Sequence, residues 1–192
     1  PFPGGERYTW IKKSAANLKL STVCEEANCP NIGECWNGGT ATFMLMGDTC
    51  TRGCRFCAVK SAKSPGALDA EEPKKLAETV NKMDLKYVVL TTVDRDDLPD
   101  QGAAHIARCI RSTQRACPDM LIEMLMPDFQ GKTELVQQVI NARPAILAHN
   151  LETVRSLTPI VRDARAGYDQ SLQVLRYLKQ NCPQGYTKSS LM

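Results

Sequence analysis

The chain has few histidines, little net charge and no long apolar run. His105 and His149 are its only histidines, and 24 basic against 21 acidic side chains leave a net charge of +3. That charge is too weak to favour a nucleic acid or membrane partner, although a mildly basic face suits an acidic protein. No apolar stretch approaches the ~20 residues of a membrane helix. The longest candidate, around Tyr87 to Leu90, has the length of a buried strand. No charged-then-apolar secretory segment opens the chain, which begins at Pro1 rather than methionine. No low-complexity tract interrupts it. Its 192 residues, 43% of them hydrophobic, suffice for the core of one domain or most of a larger one.

Cysteine is what the chain has in excess. It carries nine, an odd number, and six of them lie between Cys24 and Cys57. The odd count, the clustering and the missing secretory segment argue against a disulfide framework and for a reducing compartment. The six form two triplets, Cys24, Cys29 and Cys35 as C-x₄-C-x₅-C and Cys50, Cys54 and Cys57 as C-x₃-C-x₂-C. Iron–sulfur cubanes are normally held by four thiolates, so three on one short loop leave one iron open to a small chelating ligand. Gly53 allows the loop to turn tightly, and Phe56 is placed to shield a cluster. Zinc prefers four Cys or His ligands. Neither histidine stands beside the second triplet, so zinc there needs a distant fourth ligand. Two triplets point to two clusters, and to redox or radical chemistry.

Around them the pattern alternates. Strands are expected at Ala41–Met46, Tyr87–Thr92, Leu121–Met126, Ala145–His149 and Tyr186–Leu191. Helices are expected over Glu72–Met83, Gln101–Ala116, a segment presenting Leu135, Val136, Val139 and Ile140, and Tyr168–Gln180 with Leu172, Leu175 and Leu178 on its face. Alternation with short connections implies parallel strands and right-handed crossovers. The expected fold class is α/β: a partial TIM-type barrel of about four β/α units and a fifth strand, over residues 41–192. An irregular extension over 1–40, rich in Pro and Gly, carries the first triplet. An open doubly wound sheet is the second choice. A terminal parallel strand with no covering helix is a poor domain end, so the chain is expected to be a piece of a longer protein, with its core open along the fifth strand. The second triplet follows the first barrel strand, on the face where active sites gather.

That motif, with an aromatic residue before its last cysteine, resembles the signature of the radical S-adenosylmethionine enzymes. The segment Val23–Trp36 resembles the auxiliary-cluster motif of the lipoyl synthase family. Thr42–Cys50, Val93–Leu98, Pro127–Gly131, His149–Val154 and Thr187–Met192 also match, so the resemblance runs from Gly4 to the end. It implies two [4Fe–4S] clusters and S-adenosyl-L-methionine as cofactors. Cys50, Cys54 and Cys57 hold the cluster that cleaves S-adenosylmethionine to a 5′-deoxyadenosyl radical; Cys24, Cys29 and Cys35 hold a sacrificial sulfur donor. The implied reaction is a sulfurtransferase's: two sulfur atoms enter carbons six and eight of an octanoyl chain on a carrier lysine. The implied partners are an octanoylated lipoyl domain or glycine-cleavage H protein and a reductant such as ferredoxin or flavodoxin. The implied compartment is a bacterial cytosol, with mitochondrial or plastid parents left open. Breaking an unactivated C–H bond requires a cofactor of this kind. The family's fourth auxiliary ligand is a serine in an Arg-Ser-Ser-Tyr motif, absent from this chain. Ser189 and Ser190 lie in a different motif, and the chain alone is expected to turn over little or not at all.

Other candidates have two readings each. Asp94, Arg95, Asp96 and Asp97 follow the second strand and suit S-adenosylmethionine by charge-assisted hydrogen bonds, or else form a helix-capping loop. Asn150 and Glu152 end the fourth strand and suit its ribose or adenine, while His149 reads as a structural residue. Arg162 and Arg165 reach a carboxylate or make surface ion pairs. Cys109, Cys117 and Cys182, Trp10 and Trp36, and Met44, Met46, Met124 and Met126 read as packing. The rival functions are a biotin synthase-like enzyme, which lacks the C-x₄-C-x₅-C motif, and a metal-binding scaffold that needs no S-adenosylmethionine.

Overall fold

The computed structural model describes residues 8–10, 12–13, 21–26, 29–182 and 185–192. Pro3, Gly4 and Gly5 of the turn-rich start, and Ala27 and Asn28 within the first triplet, lie outside the described residues. Six strands form the main sheet: β1 (Ser21–Thr22), β2 (Thr40–Leu45), β5 (Tyr87–Thr92), β6 (Leu121–Leu125), β7 (Ile146–Ala148) and β8 (Tyr186–Lys188), in the order β1-β2-β5-β6-β7-β8. Neighbours from β2 onward pair in parallel, and β1 alone is antiparallel, with Thr22 opposite Phe43. Two short strands, β3 (Thr49–Cys50) and β4 (Lys60–Ser61), pair separately in the loop after β2.

The β-branched and aromatic residues of TATFML and YVVLTT suit strands buried on both faces. Five parallel strands joined through helices form the expected partial barrel. The edge strand β8 leaves Tyr186 77% exposed, as an uncovered fifth strand requires.

The helices are α1 (Val23–Glu26), α2 (Ile32–Asn37), α3 (Glu72–Lys82), α4 (Ala103–Ala116), α5 (Thr133–Ile140), α6 (Thr158–Val161) and α7 (Tyr168–Asn181). Helix α3 buries Leu76, Ala77 and Val80; α4 buries Ile106, Cys109, Ile110 and Thr113; α5 buries Leu135, Val136, Val139 and Ile140. On α7 the buried line is Ser171, Val174 and Leu178, with Leu172 and Leu175 only half-buried. The expected leucine face is therefore rotated, because Ser171 has an inward polar partner described below. The extension, read as irregular, contains α1, α2 and β1. Trp36 on α2 is fully buried and stacks at a tilt on Tyr8, with ring centroids 5.2 Å apart, whereas Trp10 is 39% exposed and not a core residue.

Two features shape the loop that leaves β2. Met46 turns it with a positive φ of 68°, and both carboxylate oxygens of Glu72 accept the Met46 N–H, at 3.1 and 3.0 Å. His105 Nε2–H donates to the same carboxylate, and Arg108 donates to His105 Nδ1. With Cys109, these ligand-type atoms lie within 4.8 Å of one another, and the hydrogen bonds already close the group as a latch between α3, α4 and the end of β2. Gly102 is the second feature. Its φ is 83°, and a Cβ there would lie 2.2 Å from Met46 Sδ, so both conformation and space demand glycine.

Candidate active site

A cavity of about 260 Å³ opens at the carboxyl ends of β2, β5, β6 and β7, where parallel α/β folds place their ligands. Cys50, Cys54 and Cys57 line it, with Asp94 and Asp128 after β5 and β6 and Asn150 and Glu152 after β7. Val23, beside Cys24, also lines it, which brings the first triplet's helix to the cavity's edge. Cys24 is buried, and Cys29 and Cys35 are half-buried. Burial and the nearness of Cys24 and Cys29 push the Cys35 thiol up. Among the described residues, neither triplet is collapsed into a group whose ligand atoms all lie within 4.8 Å.

Backbone donors are aimed at the cavity sulfurs. Asp94 N and Arg52 N donate to Cys50 Sγ at 3.2 and 3.4 Å, and Asp163 N donates to Cys54 Sγ at 3.3 Å. Such bonds stabilise a charged thiolate and tune a cluster's potential. In the free thiol state burial and then Asp94 push the Cys50 pKa up to about 11, and burial also raises Cys54. Three thiols, two of them with N–H groups directed at sulfur, fit an iron–sulfur cluster, whose positive charge takes the place of the thiol protons.

The loop between the cysteines is held on two sides. Inside, Arg52 is 3% exposed. Its Nε and Nη2 donate to Asp96 at 2.8 Å each, Nη1 donates to Asp128 Oδ2 at 3.0 Å, and Nη2 pairs with Asp128 Oδ1 at 2.9 Å. Burial alone lowers the Arg52 pKa; the Asp96 hydrogen bonds and the Asp94 and Asp128 charges reverse that and hold it cationic. Burial raises Asp96 and Asp128, and Arg52 outweighs it, so both fall below the usual carboxylate range. Asp94 lies 3.5 Å from Arg52 Nη1 and accepts from Cys50 Sγ at 3.8 Å. Burial, reinforced by the charges of Asp128 and Asp96, lifts it to about 6.

Outside, Gly53 N donates to Asp163 Oδ2 at 2.9 Å, Arg55 N to Val161 O at 2.8 Å, and Arg165 Nη2 to Thr51 O at 2.7 Å. Arg165 is bound to Asp163 and Asp96, so it serves the loop rather than a free ligand. Arg162 lines the cavity. Its Nη1 donates to Ser171 Oγ at 2.9 Å, while its buried Nε has no hydrogen-bond partner among the described residues. Ser171 in turn donates to His149 Nε2 at 2.9 Å, and His149 Nδ1–H donates to Met126 O at 3.0 Å. Burial lowers the His149 pKa and keeps it neutral. Both ring nitrogens are spent, so His149 is structural although it lines the cavity.

Four residues expected around S-adenosylmethionine part ways. Asp94, Asn150 and Glu152 face the cavity; Glu152 has a φ of 65°, and burial raises its pKa against the Asn150 hydrogen bond. Arg95 does not line it. It is 2% exposed, bidentate to Asp97 and bonded to Gly66 O at 2.6 Å. Successive side chains leaving a strand point to opposite sides, so Asp94 and Arg95 cannot both face in. The sequence reading missed Arg52, Asp128 and Asp163 as site residues. An arginine inside the C-x₃-C spacing was the one local signal, since a bare cluster loop has no need of a cation.

Comparison with known proteins shows the family and the fold. The family model described as "Radical SAM superfamily" matches residues 44–192. A lipoyl synthase of Anaeromyxobacter sp. (strain Fw109-5) is 56% identical over 99% of this chain and 64% of its own length. An apicoplast lipoyl synthase of Toxoplasma gondii is 58% identical over 97% of this chain and 34% of its own. Mitochondrial relatives match as well. The chain thus spans less than two thirds of the length of the curated relatives it matches. The crystal structure of a methylornithine synthase shares the fold, with a TM-score of 0.58 at 14% identity over 94% of this chain and 55% of that one. Among the described residues, no helix is long and apolar enough to cross a membrane.

Proposed function

Given that the chain belongs to the radical S-adenosylmethionine superfamily, we propose that it is the catalytic core of a lipoyl synthase, inserting two sulfur atoms at carbons six and eight of a protein-bound octanoyl group. The observation that supports this best is the shared cavity: Cys50, Cys54 and Cys57 open into it at the strand ends, and Val23 brings the Cys24, Cys29 and Cys35 segment to its edge. Residues 1–40 form the extension carrying the auxiliary ligands, and 41–192 the barrel. When bound, a [4Fe–4S] cluster and S-adenosylmethionine together supply a carbon-centred radical able to take hydrogen from an unactivated C–H bond.

The chain's own residues hold and shield that chemistry. Cys50, Cys54 and Cys57 ligate the cluster, and the N–H groups of Arg52, Asp94 and Asp163 stabilise their sulfur charge. Asn150 and Glu152 present polar groups to ribose or adenine, and Asp94 accepts from an amino group. Arg162 places a cation at the cavity wall, suited to a carboxylate. Met44, Val59, Val93 and Leu125 give the cavity dry walls, which exclude water from the target carbon. Cys24, Cys29 and Cys35 hold the second cluster, the sulfur source.

The partners are an octanoylated lipoyl carrier domain or H protein and a small electron donor such as ferredoxin or flavodoxin. A bacterial cytosol suits them, and a mitochondrial or plastid setting does as well, since the relatives include bacterial, mitochondrial and apicoplast proteins.

The test is anaerobic reconstitution of the full-length protein, followed by iron and labile sulfide analysis and Mössbauer spectra with and without S-adenosylmethionine. Two cubanes, one of them perturbed by S-adenosylmethionine, are expected, with thiolation of an octanoylated lipoyl domain seen by mass. A single zinc ion and no response to S-adenosylmethionine would sink the proposal.

A further inference from the structure

Arg52 stands midway between two proposed cluster ligands and borders the cavity, yet its guanidinium is spent on two buried carboxylates. Arginine is seldom fully buried unless paired, and Arg52 is paired on both edges. One edge, Nε with Nη2, lies against Asp96; the other, Nη1 with Nη2, lies against Asp128. The two carboxylates come from the connections after β5 and β6, so one planar cation joins three consecutive strand ends. The backbone around it is tied to the same places. Thr51 N donates to Asp94 O at 2.9 Å, Asp96 N donates to Thr51 Oγ1 at 3.1 Å, and Ser61 Oγ donates to Arg52 O at 2.8 Å. Cys50 and Cys54 lie two residues to either side, so the placing of the fork sets where both sulfurs stand.

We propose that Arg52 is a positioning residue for the cluster loop, acting through the two-edged geometry of its guanidinium rather than through its charge alone. Its side chain is spent on Asp96 and Asp128, with Asp94 3.5 Å away, so it acts on the cluster through the loop it holds. A lysine keeps the charge but offers a single ammonium, which cannot satisfy both edges of two carboxylates. This inference rests on the cluster assignment of Cys50, Cys54 and Cys57.

Its test compares Arg52→Lys, Arg52→Gln and Asp96→Asn with the unaltered full-length protein, reconstituted anaerobically. The readouts are iron per chain, the electron paramagnetic resonance spectrum of the reduced cluster with and without S-adenosylmethionine, and S-adenosylmethionine cleavage. In Arg52→Lys, cleavage is expected to fall about 10–100-fold, the usual effect of losing a ligand's supporting partner. Its reduced cluster is expected to show a broadened signal that S-adenosylmethionine shifts less than in the unaltered protein. Arg52→Gln should be no better, and Asp96→Asn should shift the same signal to a smaller degree.

An Arg52→Lys protein with native spectra and native cleavage overturns the proposal, because charge alone then suffices. If Arg52→Lys does not fold, Asp96→Asn decides: a native spectrum and native cleavage there also overturn it. If the unaltered protein assembles no cluster at this site, the cluster assignment itself has failed, and the positioning role with it.

Discussion

Cys50, Cys54 and Cys57 sit in a loop tied to the connections after β5, β6 and β7, whereas Cys24 and Cys35 sit on two short helices, with Cys29 between them, joined to the sheet through β1 and β2. Sulfurs of the second triplet accept backbone N–H groups from residues 44 and 109 positions away. In the first triplet the contacts are local: Cys29 N bonds Cys24 O, and Cys35 N bonds Asn31 O. Among the described residues no backbone N–H is directed at its sulfurs. The second site is thus part of the barrel's own construction, and the first is fastened to its edge. On the proposed function this division makes physical sense. A cluster that must survive turnover gains from preorganised donors.

The sharpest way to break this comparison is to remove one ligand from each triplet. Cys54→Ala is expected to abolish S-adenosylmethionine cleavage and, with it, product. Cys29→Ala should leave cleavage largely intact and abolish only sulfur insertion. The two are separated by measuring 5′-deoxyadenosine and the mass of the octanoylated carrier in the same reaction. Loss of cleavage in Cys29→Ala would mean that the triplets do not act as separate sites.

Stability offers the next test, and it concerns how the first triplet is fastened. Trp36 is fully buried on α2, between the first triplet and β2. Trp36→Ala should cost about 3–5 kcal/mol, as for other buried aromatics, and lower the midpoint of urea unfolding. Loss of the second cluster before the first unfolds would show that the extension detaches alone.

A smaller effect is expected on the other side of the comparison, from Gly102→Ala. The substitution forces a φ of 83° on an L residue and drives its Cβ into Met46 Sδ. It should cost about 1–3 kcal/mol, measured by thermal unfolding. Because Met46 begins the loop to Cys50, the cavity triplet should lose iron faster to a chelator. An unchanged rate would mean that the Glu72 latch on Met46 N is sufficient by itself.

Much of this architecture could be read from the chain because the information is local. The runs at 87–92 and 121–125 are short and apolar, and the α3, α4 and α5 faces repeat at helical spacing, so these strands and helices fall within one to two residues of expectation, while β8 stops at Lys188, three residues before the expected Leu191. The triplets are legible because ligand spacing is itself a sequence property. What escaped depends on contacts between distant segments. Nothing near Arg52 announces Asp96 or Asp128, and nothing near Cys54 announces Asp163. Arg95 looked equivalent to Asp94 because the sequence does not say which residue leaving β5 turns inward. The α1 and α2 helices, of four and six residues, are too short for periodicity to reveal.

The smallest expected effect sharpens the contrast within the extension. Trp10 and Trp36 looked alike in sequence, as aromatic packing around the first triplet. The structure buries one completely and leaves the other 39% exposed. If the extension is held to the barrel through α2 and Trp36, Trp10→Ala should change global stability by no more than about 0.5 kcal/mol, as exposed sites do. The same substitution should leave iron content and S-adenosylmethionine cleavage unaltered. A loss comparable to that of Trp36→Ala would mean that the segment around Trp10 has a partner of its own in the native protein. The first triplet would then be anchored from both ends, much as the second is.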